Sequence, residues 1–178
     1  MLQQEVFKIK LKRALRRIRK IFPVTINNYV YFFKNGTHIE TAETNYKISE
    51  FNARHKSKIK KVDRKLKGNS KCFRVYINKD IAHITWVYDQ LLLARQLGER
   101  NVLTVGGSLT EEHFRNMGLF TNVLKFVASR AQHDLIMLVD PANISSIKAM
   151  ESAGFKKKYR FIMIRIAGFK IWCKKYAV

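Results

Sequence analysis

A short turn in the second half of the chain has the residues of an anion-binding site. It consists of Arg115, Asn116, Met117, Gly118, Leu119 and Phe120, between a predicted strand and a predicted helix. The first turn of a helix has backbone N–H groups without partners and a partial positive charge, so a loop around it can hold a pyrophosphate. Gly118 has no side chain and lets the backbone approach such a ligand closely. The turn therefore predicts a ligand that carries phosphate groups.

A second stretch, about 25 residues further on, strengthens this prediction. Asn143 begins a predicted helix and Gly154 follows its end, although an N-cap and a C-terminal glycine also have a purely structural interpretation. The two stretches come in this order after a strand that contains Gly106 and Gly107 side by side. Together they resemble the motifs of the GNAT superfamily of acyl-CoA-dependent N-acyltransferases.

The resemblance implies acetyl-CoA or another acyl-CoA as co-substrate. The family signature is Arg or Gln, two residues, Gly, one residue, then Gly or Ala, and Arg115, Gly118 and Phe120 occupy these positions. Phe120 departs from the small residue of the family. We expect the acyl-CoA to be bound by Gly107, Ser108, Arg115, Asn116, Met117, Gly118, Leu119, Phe120, Asn143 and Ser146.

By the same resemblance, the strand with the two glycines diverges from the strand of residues 135–140. The pantetheine arm then enters the gap almost as an additional strand. A backbone N–H group near Gly107 or Ser108 would donate a hydrogen bond to the thioester carbonyl and stabilise the negative charge that develops there.

The reaction also requires groups that move protons. An amine attacks a thioester only when it is neutral, and a lysine-like amine with a pKa of about 10.4 is mostly charged at neutral pH. A base, or water leading to one, is therefore expected, and His83, Asp89, His113 and Asp140 are the visible candidates. Each also suits a packing or turn role. We take His83, Asp140 and, at the strand glycines, Ser108 as the catalytic candidates.

The acid that protonates the leaving thiolate is not evident. Many members of the family have a Tyr seven residues after the Asn of the second motif, whereas this chain has Met150 there. Methionine cannot donate a proton. Either another residue or water is the acid, or the thiolate leaves unaided, or catalysis has been lost.

The elements that position these residues follow from hydrophobic periodicity and turn signals. They predict a mixed α/β (α+β) domain on one sheet, a GNAT-like mixed sheet with flanking helices, over residues 24–178. Strands are predicted at residues 28–34, 71–77, 81–88, 102–109, 135–140, 159–166 and 169–176, and helices at residues 46–66 (one or two), 120–131 and 143–153.

The N-terminal part has a different pattern. Apolar residues recur every three or four positions over residues 7–22 among many Lys and Arg, which predicts a basic amphipathic helix. Pro23 ends it, because proline cannot continue the hydrogen-bond ladder. We therefore divide the chain into this N-terminal helix, residues 1–23, and the GNAT-like domain, residues 24–178.

The net charge of the chain indicates a second kind of interaction. Lys and Arg outnumber Asp and Glu by 35 to 13, for a net charge of +22. Such a field attracts polyanions. An acyl carrier protein or an anionic membrane surface would suit it, nucleic acid is not favoured because no recognised module is present, and compositional bias is the alternative explanation.

Other global features narrow the class. The apolar runs are too short to cross a bilayer, and no metal site or disulfide framework is indicated. This favours a cytoplasmic location, with a position peripheral to the membrane as the alternative. The predicted function is N-acyl transfer, first of all N-acetyl transfer, to a small amine or amino sugar by direct attack. The alternatives are an acyl-carrier-protein-dependent acyltransferase, and a basic polyanion- or membrane-surface-binding protein without activity on the same scaffold. The sequence does not indicate the acceptor or the oligomeric state.

Overall fold

The computed structural model describes residues 24–34, 46–52, 70–89 and 91–178. The predicted basic helix of residues 1–23 lies outside them. The described strands are β1 (Val24–Lys34), β2 (Lys47–Asn52), β3 (Lys71–Ile77), β4 (Asp80–Asp89), β5 (Val102–Thr110), β6 (Asp134–Val139), β7 (Lys156–Ile166) and β8 (Phe169–Tyr176). The described helices are α1 (Leu92–Gln96), α2 (Leu119–Arg130) and α3 (Ile144–Ser152), and a single 3-10 turn spans Glu112–Phe114.

All eight described strands form one sheet in the order β2-β3-β4-β5-β6-β1-β7-β8. Strands β5 and β6 are parallel, because the chain crosses over through α2 between them, and the other neighbours are antiparallel. The predicted mixed α+β domain on one sheet is therefore confirmed. Strand β1 lies in the interior of the sheet, between β6 and β7, although it comes first in the chain.

The prediction of a helix from residue 46 is wrong for residues 47–52, which form β2 and pair antiparallel with β3. Ile48 and Phe51 are three positions apart, a spacing that suggested one helical face. In the strand they point to opposite faces: Ile48 packs against the main core, and Phe51 packs against a separate cluster around Trp86. The remainder of this predicted helix, residues 53–66, lies outside the described residues.

Helix α1 is not among the helices that the sequence predicts. It packs on one face of the sheet, where Ala94 and Leu97 contact a cluster that includes Tyr31, Phe161 and Met163. Its apolar residues occupy little more than one helical turn, which is too short for periodicity to distinguish a helix from a loop.

Helices α2 and α3 cover the opposite face. The buried residues of α2 include Leu119, Val123 and Val127, which recur every four positions and form an apolar stripe. Ile147 and Met150 of α3 join the same core. Because both helices rest on this one core, their first turns are held in fixed positions relative to β4 and β5.

Candidate active site

The parallel pair β5 and β6 separates near its middle. The two strands pair only from Val102 opposite Asp134 to Val105 opposite Met137. Strand β5 continues to Thr110, whereas the remaining residues of β6 pair with β1 alone. The separation begins at the two glycines of β5, as the resemblance predicted.

A bulge in β5 coincides with this separation. Ile84 of β4 lies opposite Leu109 and Trp86 lies opposite Gly106, so the single residue Thr85 faces both Gly107 and Ser108. An additional residue of this kind bends the strand and redirects its side chains.

Glycine at position 107 is required by the local geometry. Its φ is +62°, and an added Cβ would lie 2.8 Å from the Tyr88 hydroxyl and 3.1 Å from Cδ1 of Trp86. A side chain there would be strained by both the backbone and its neighbours. Gly107 therefore shapes the bulge, although it is not among the residues that line the cleft described next.

A cleft of about 440 Å³ lies beside the bulge, between the end of β5 and the first turns of α2 and α3. Its volume is within the usual range of ligand sites. The cleft brings together nine of the predicted site residues from four separate elements. These are His83, Ser108, Arg115, Asn116, Gly118, Leu119, Phe120, Asn143 and Ser146.

The electrostatics of the cleft favour an anion. The N-termini of α2 and α3 both meet it, and the described residues that line it include Arg115 but no Asp or Glu. The first-turn N–H groups of α2 have no partner within the helix, and the helix dipole adds a partial positive charge. Gly118 is the N-cap of α2 with φ +68°, and a Cβ there would meet no protein atom within 4 Å. The donor set therefore fits a phosphate-bearing ligand.

At the N-terminus of α3, the N-cap side chain of Asn143 occupies part of the hydrogen-bond donors that could otherwise bind a ligand. The side-chain oxygen Oδ1 of Asn143 accepts hydrogen bonds from the Ser146 N–H and the Ser145 hydroxyl, each at 3.1 Å. The structural interpretation of Asn143 therefore holds, and the residue also lines the cleft.

Two further predicted residues lie elsewhere. Met117 is exposed in the turn before Gly118 and does not line the cleft. Asp140 is exposed after β6, where its Oδ1 accepts a hydrogen bond of 2.8 Å from the Ala142 N–H. This bond gives Asp140 the role of a turn residue, and it does not line the cleft.

A buried hydrogen-bonded chain ends at the cleft. His83 is 1% exposed, and its ring nitrogens Nδ1 and Nε2 each lie 2.7 Å from a threonine hydroxyl, that of Thr110 and that of Thr85 respectively. The Thr85 hydroxyl lies 2.9 Å from that of Ser108. The chain is thus Ser108, Thr85, His83 and Thr110, and all but Thr85 line the cleft.

Burial sets the charge state of the histidine. Loss of hydration lowers the pKa of His83 to about 4, so the imidazole is neutral at pH 7. The Phe120 ring, with its centroid 5.6 Å from that of the imidazole, covers part of it. A neutral imidazole donates at one nitrogen and accepts at the other, which suits its position between two hydroxyl groups.

Thr85 and Thr110 were missed from the sequence. The signal was present for Thr85, since residues two apart on a strand share a face and His83 was already a candidate. Thr110 lies opposite His83 in the ladder between β4 and β5, which requires the register. Met150 is fully buried in the core and does not line the cleft.

The fold is similar to that of several solved proteins. A protein of the GNAT family of acetyltransferases from Novosphingobium aromaticivorans DSM 12444 matches with a TM-score of 0.59 and 13% identity, over 88% of this chain and 68% of that one. A GNAT-family acetyltransferase from Colwellia psychrerythraea matches with 0.50 and 14% identity, over 86% and 57%. A functionally unknown conserved protein from Staphylococcus epidermidis ATCC 12228 matches with 0.54 and 11% identity, over 91% and 66%. The chain therefore spans less than two thirds of the second and third proteins.

No protein-family model and no curated protein sequence matches this chain. At 11 to 14% identity the structural likeness concerns the fold alone, and the chain has a GNAT-like fold. None of the described helices is long and apolar enough to cross a membrane. The described residues also contain no group of three or more His, Cys, Asp or Glu that could hold a metal ion.

Proposed function

We propose that the protein is an N-acyltransferase that transfers an acyl group, with acetyl as the first candidate, from a CoA thioester to a small amine or amino sugar. The observation that carries this proposal is the convergence of the β5 bulge, the separation of β5 from β6 and two helix N-termini on one cleft. The GNAT-like fold supports the same class of reaction.

The residues for holding the donor are those of the α2 turn. Backbone N–H groups of Leu119 and Phe120, with the Arg115 side chain, would hold the pyrophosphate of acyl-CoA. A CoA thioester bound there supplies the acyl group and a thiol as leaving group. The backbone N–H groups of the bulge at Gly107 and Ser108 are the donors available for the acyl carbonyl oxygen, where negative charge develops.

The buried chain would move the proton. The amine that attacks is the neutral form, which has already lost one proton to the solvent. From that form, acyl transfer takes one proton from the amine and gives one to the leaving thiol, so a path that accepts and releases a proton leaves no net charge behind. The hydroxyl groups of Ser108 and Thr110 lie at the two ends of such a path, and the neutral imidazole of His83 can take a proton at one nitrogen and release it from the other. In this mechanism His83 is a relay, and no tyrosine is needed at position 150.

Donor binding tests the proposal first. Acetyl-CoA should raise the melting temperature of the protein, and Gly118→Val should abolish that increase because its side chain fills the cleft beside the phosphate donors. Gly98→Val is the matched control: Gly98 also has a positive φ, +90°, and its Cβ would also meet no atom within 4 Å, but Gly98 does not line the cleft.

Turnover tests it second. Release of the CoA thiol, followed with a thiol reagent, should depend on an added amine in a panel of amino sugars, polyamines and amino acids. Longer acyl-CoAs and an acylated carrier protein serve as alternative donors. A folded Gly118→Val variant that still gains full thermal protection from acetyl-CoA would contradict the proposed donor site.

A further inference from the structure

Among the described residues, an exposed apolar patch lies on one face of the sheet at the β7–β8 hairpin. The strand register aligns six apolar side chains in two rows across this face, Val24, Ile166 and Phe169 in one row and Ile26, Ile164 and Trp172 in the other. We call these residues the hairpin patch. Phe169 is 74% exposed, Ile26 67% and Trp172 45%. Large apolar side chains grouped on a surface commonly mark an interaction site.

None of the described helices packs on the hairpin patch. Val30 and Phe32, farther along the same face of β1, lie in the core that α2 and α3 cover. Phe161 and Met163 of β7 point to the opposite face, where α1 covers them. Neither helix layer extends over the two rows of the patch in the described part of the chain.

Cations lie beyond one end of this patch, and the strands that form it, β1, β7 and β8, contain no Asp or Glu. Residues 156–178 contain eight Lys and Arg and no Asp or Glu. Lys174 and Arg160 follow the apolar rows on the same face, since they align with Ile162 and Val30 in the register. The Arg160 Nε donates a hydrogen bond of 3.0 Å to Asn28 Oδ1, which fixes the guanidinium beside the patch.

We propose that the hairpin patch docks on an anionic lipid bilayer. Trp172 and Phe169 would enter the boundary between head groups and acyl chains, where aromatic side chains are favoured. Lys174 and Arg160 would meet the anionic head groups. Both the apolar rows and the adjacent cations are then satisfied by one partner.

The alternatives satisfy only one of the two features. A second copy of the chain would bury the apolar rows but bring the same cations together, and the exposed lysines of the edge strand β8 oppose pairing between copies. A nucleic acid would neutralise the cations but leave isoleucine side chains against phosphate. The bilayer is therefore the partner whose chemistry matches the whole surface.

Fluorescence of the full-length chain provides the test. The chain has two tryptophans, and Trp86 is buried, so Trp86→Phe leaves Trp172 as the only reporter. With phosphatidylcholine vesicles that contain phosphatidylserine, we expect a blue shift of its emission and protection from acrylamide. Vesicles of phosphatidylcholine alone should give neither, and high salt should reverse both. Co-sedimentation of the unaltered chain with the same vesicles gives a second measure if Trp86→Phe fails to fold.

Two substitutions locate the binding surface. Lys174→Glu should weaken partitioning into the anionic vesicles about tenfold or more. Phe169→Ser should weaken it on the order of tenfold through loss of apolar burial. Lys47→Glu is the matched control, because it makes the same charge change on β2, the opposite edge of the sheet, and should weaken partitioning much less than Lys174→Glu.

Four results would overturn the proposal. One is an unchanged Trp172 emission with anionic vesicles, and another is an equal response to vesicles without phosphatidylserine. A third is a Trp172 already protected from acrylamide in buffer: protection at every protein concentration would assign the patch to residues 1–23 of the same chain, and protection that grows with concentration would assign it to a second copy. The fourth is a response to RNA or to an acidic carrier protein without any response to vesicles.

Discussion

The neutral His83 predicts a specific dependence of stability on pH. In the unfolded chain a histidine takes up a proton near pH 6.5, whereas in the folded chain burial lowers the pKa of His83 to about 4. Between these two values the unfolded chain binds a proton at this site and the folded chain does not. Acidification therefore favours unfolding across this window, and the stabilisation is fully present above it.

The magnitude follows from the difference between the two pKa values. Each pKa unit corresponds to about 1.4 kcal/mol, so His83 alone should lower the free energy of unfolding by about 3 kcal/mol from pH 7 to pH 4. The conversion is appropriate because the side chain is 1% exposed and little screened by water. Other groups also titrate in this range, so the contribution of His83 must be isolated by comparison with a variant.

The contribution of His83 is isolated by urea unfolding of the parent chain and of His83→Gln. Both are measured at several pH values from 7.5 to 4. The parent should lose about 3 kcal/mol more than the variant over this range. Gln132→Asn, at an exposed residue that does not titrate, is the control and should keep the slope of the parent. Phe120→Ala should raise the pKa of His83 by admitting water, and so reduce the slope. Identical slopes in the parent and His83→Gln would refute the inference that a buried neutral histidine occupies this position.

Three further predictions concern single residues of β4, β5 and β1. Thr85→Val removes a hydroxyl that does not itself line the cleft. It should lower kcat about 100-fold and leave KM for acetyl-CoA nearly unchanged. A purely structural role for Thr85 would instead change the stability without lowering kcat selectively. Gly107→Ala should lower the free energy of unfolding in urea by about 1 to 3 kcal/mol, because its Cβ would lie 2.8 Å from the Tyr88 hydroxyl at a positive φ; an unchanged midpoint would contradict the bulge geometry. Lys34→Met should lower the free energy of unfolding by about 1 to 3 kcal/mol. The buried Lys34 ammonium donates a hydrogen bond to the Ala153 carbonyl at the C-terminal end of α3, and its loss leaves that carbonyl unpaired. A variant of equal stability would show that water replaces the ammonium.

The sequence predicts most of the elements from residue 71 onward, because their signals are local. The hairpin of β3 and β4 has turn residues between two β-rich runs, β6 is a short continuous apolar run, and α2 and α3 have a helical period. The position of β1 has no local signal. It pairs with β6 and β7, and its partners, such as Val139 opposite Val30, lie more than 100 residues away in the chain. Only the assembled sheet determines the order of its strands.

The same distinction between local and long-range signals applies to the residues of the candidate site. The turn from Arg115 to Phe120 is visible in the sequence because a glycine, a helix start and an arginine follow one another closely. Asp140 was a candidate by residue type alone, and the structure gives its carboxylate to a local turn. The relay through Thr85 and Thr110 depends on a bulge and on the register between two strands, which residue types do not encode.

The two departures from the GNAT motifs are compatible with the proposed proton relay. Phe120 is larger than the small residue of the signature, and its ring covers the imidazole of His83, which contributes to the burial that keeps His83 neutral. Met150 replaces the tyrosine that many family members use as an acid, and it is fully buried in the core. A hydrogen-bonded relay that moves a proton from one end to the other needs neither a charged base nor a separate acid. The large residue that keeps His83 neutral and the missing tyrosine are therefore both consistent with proton transfer through His83 and the hydroxyl groups on either side of it.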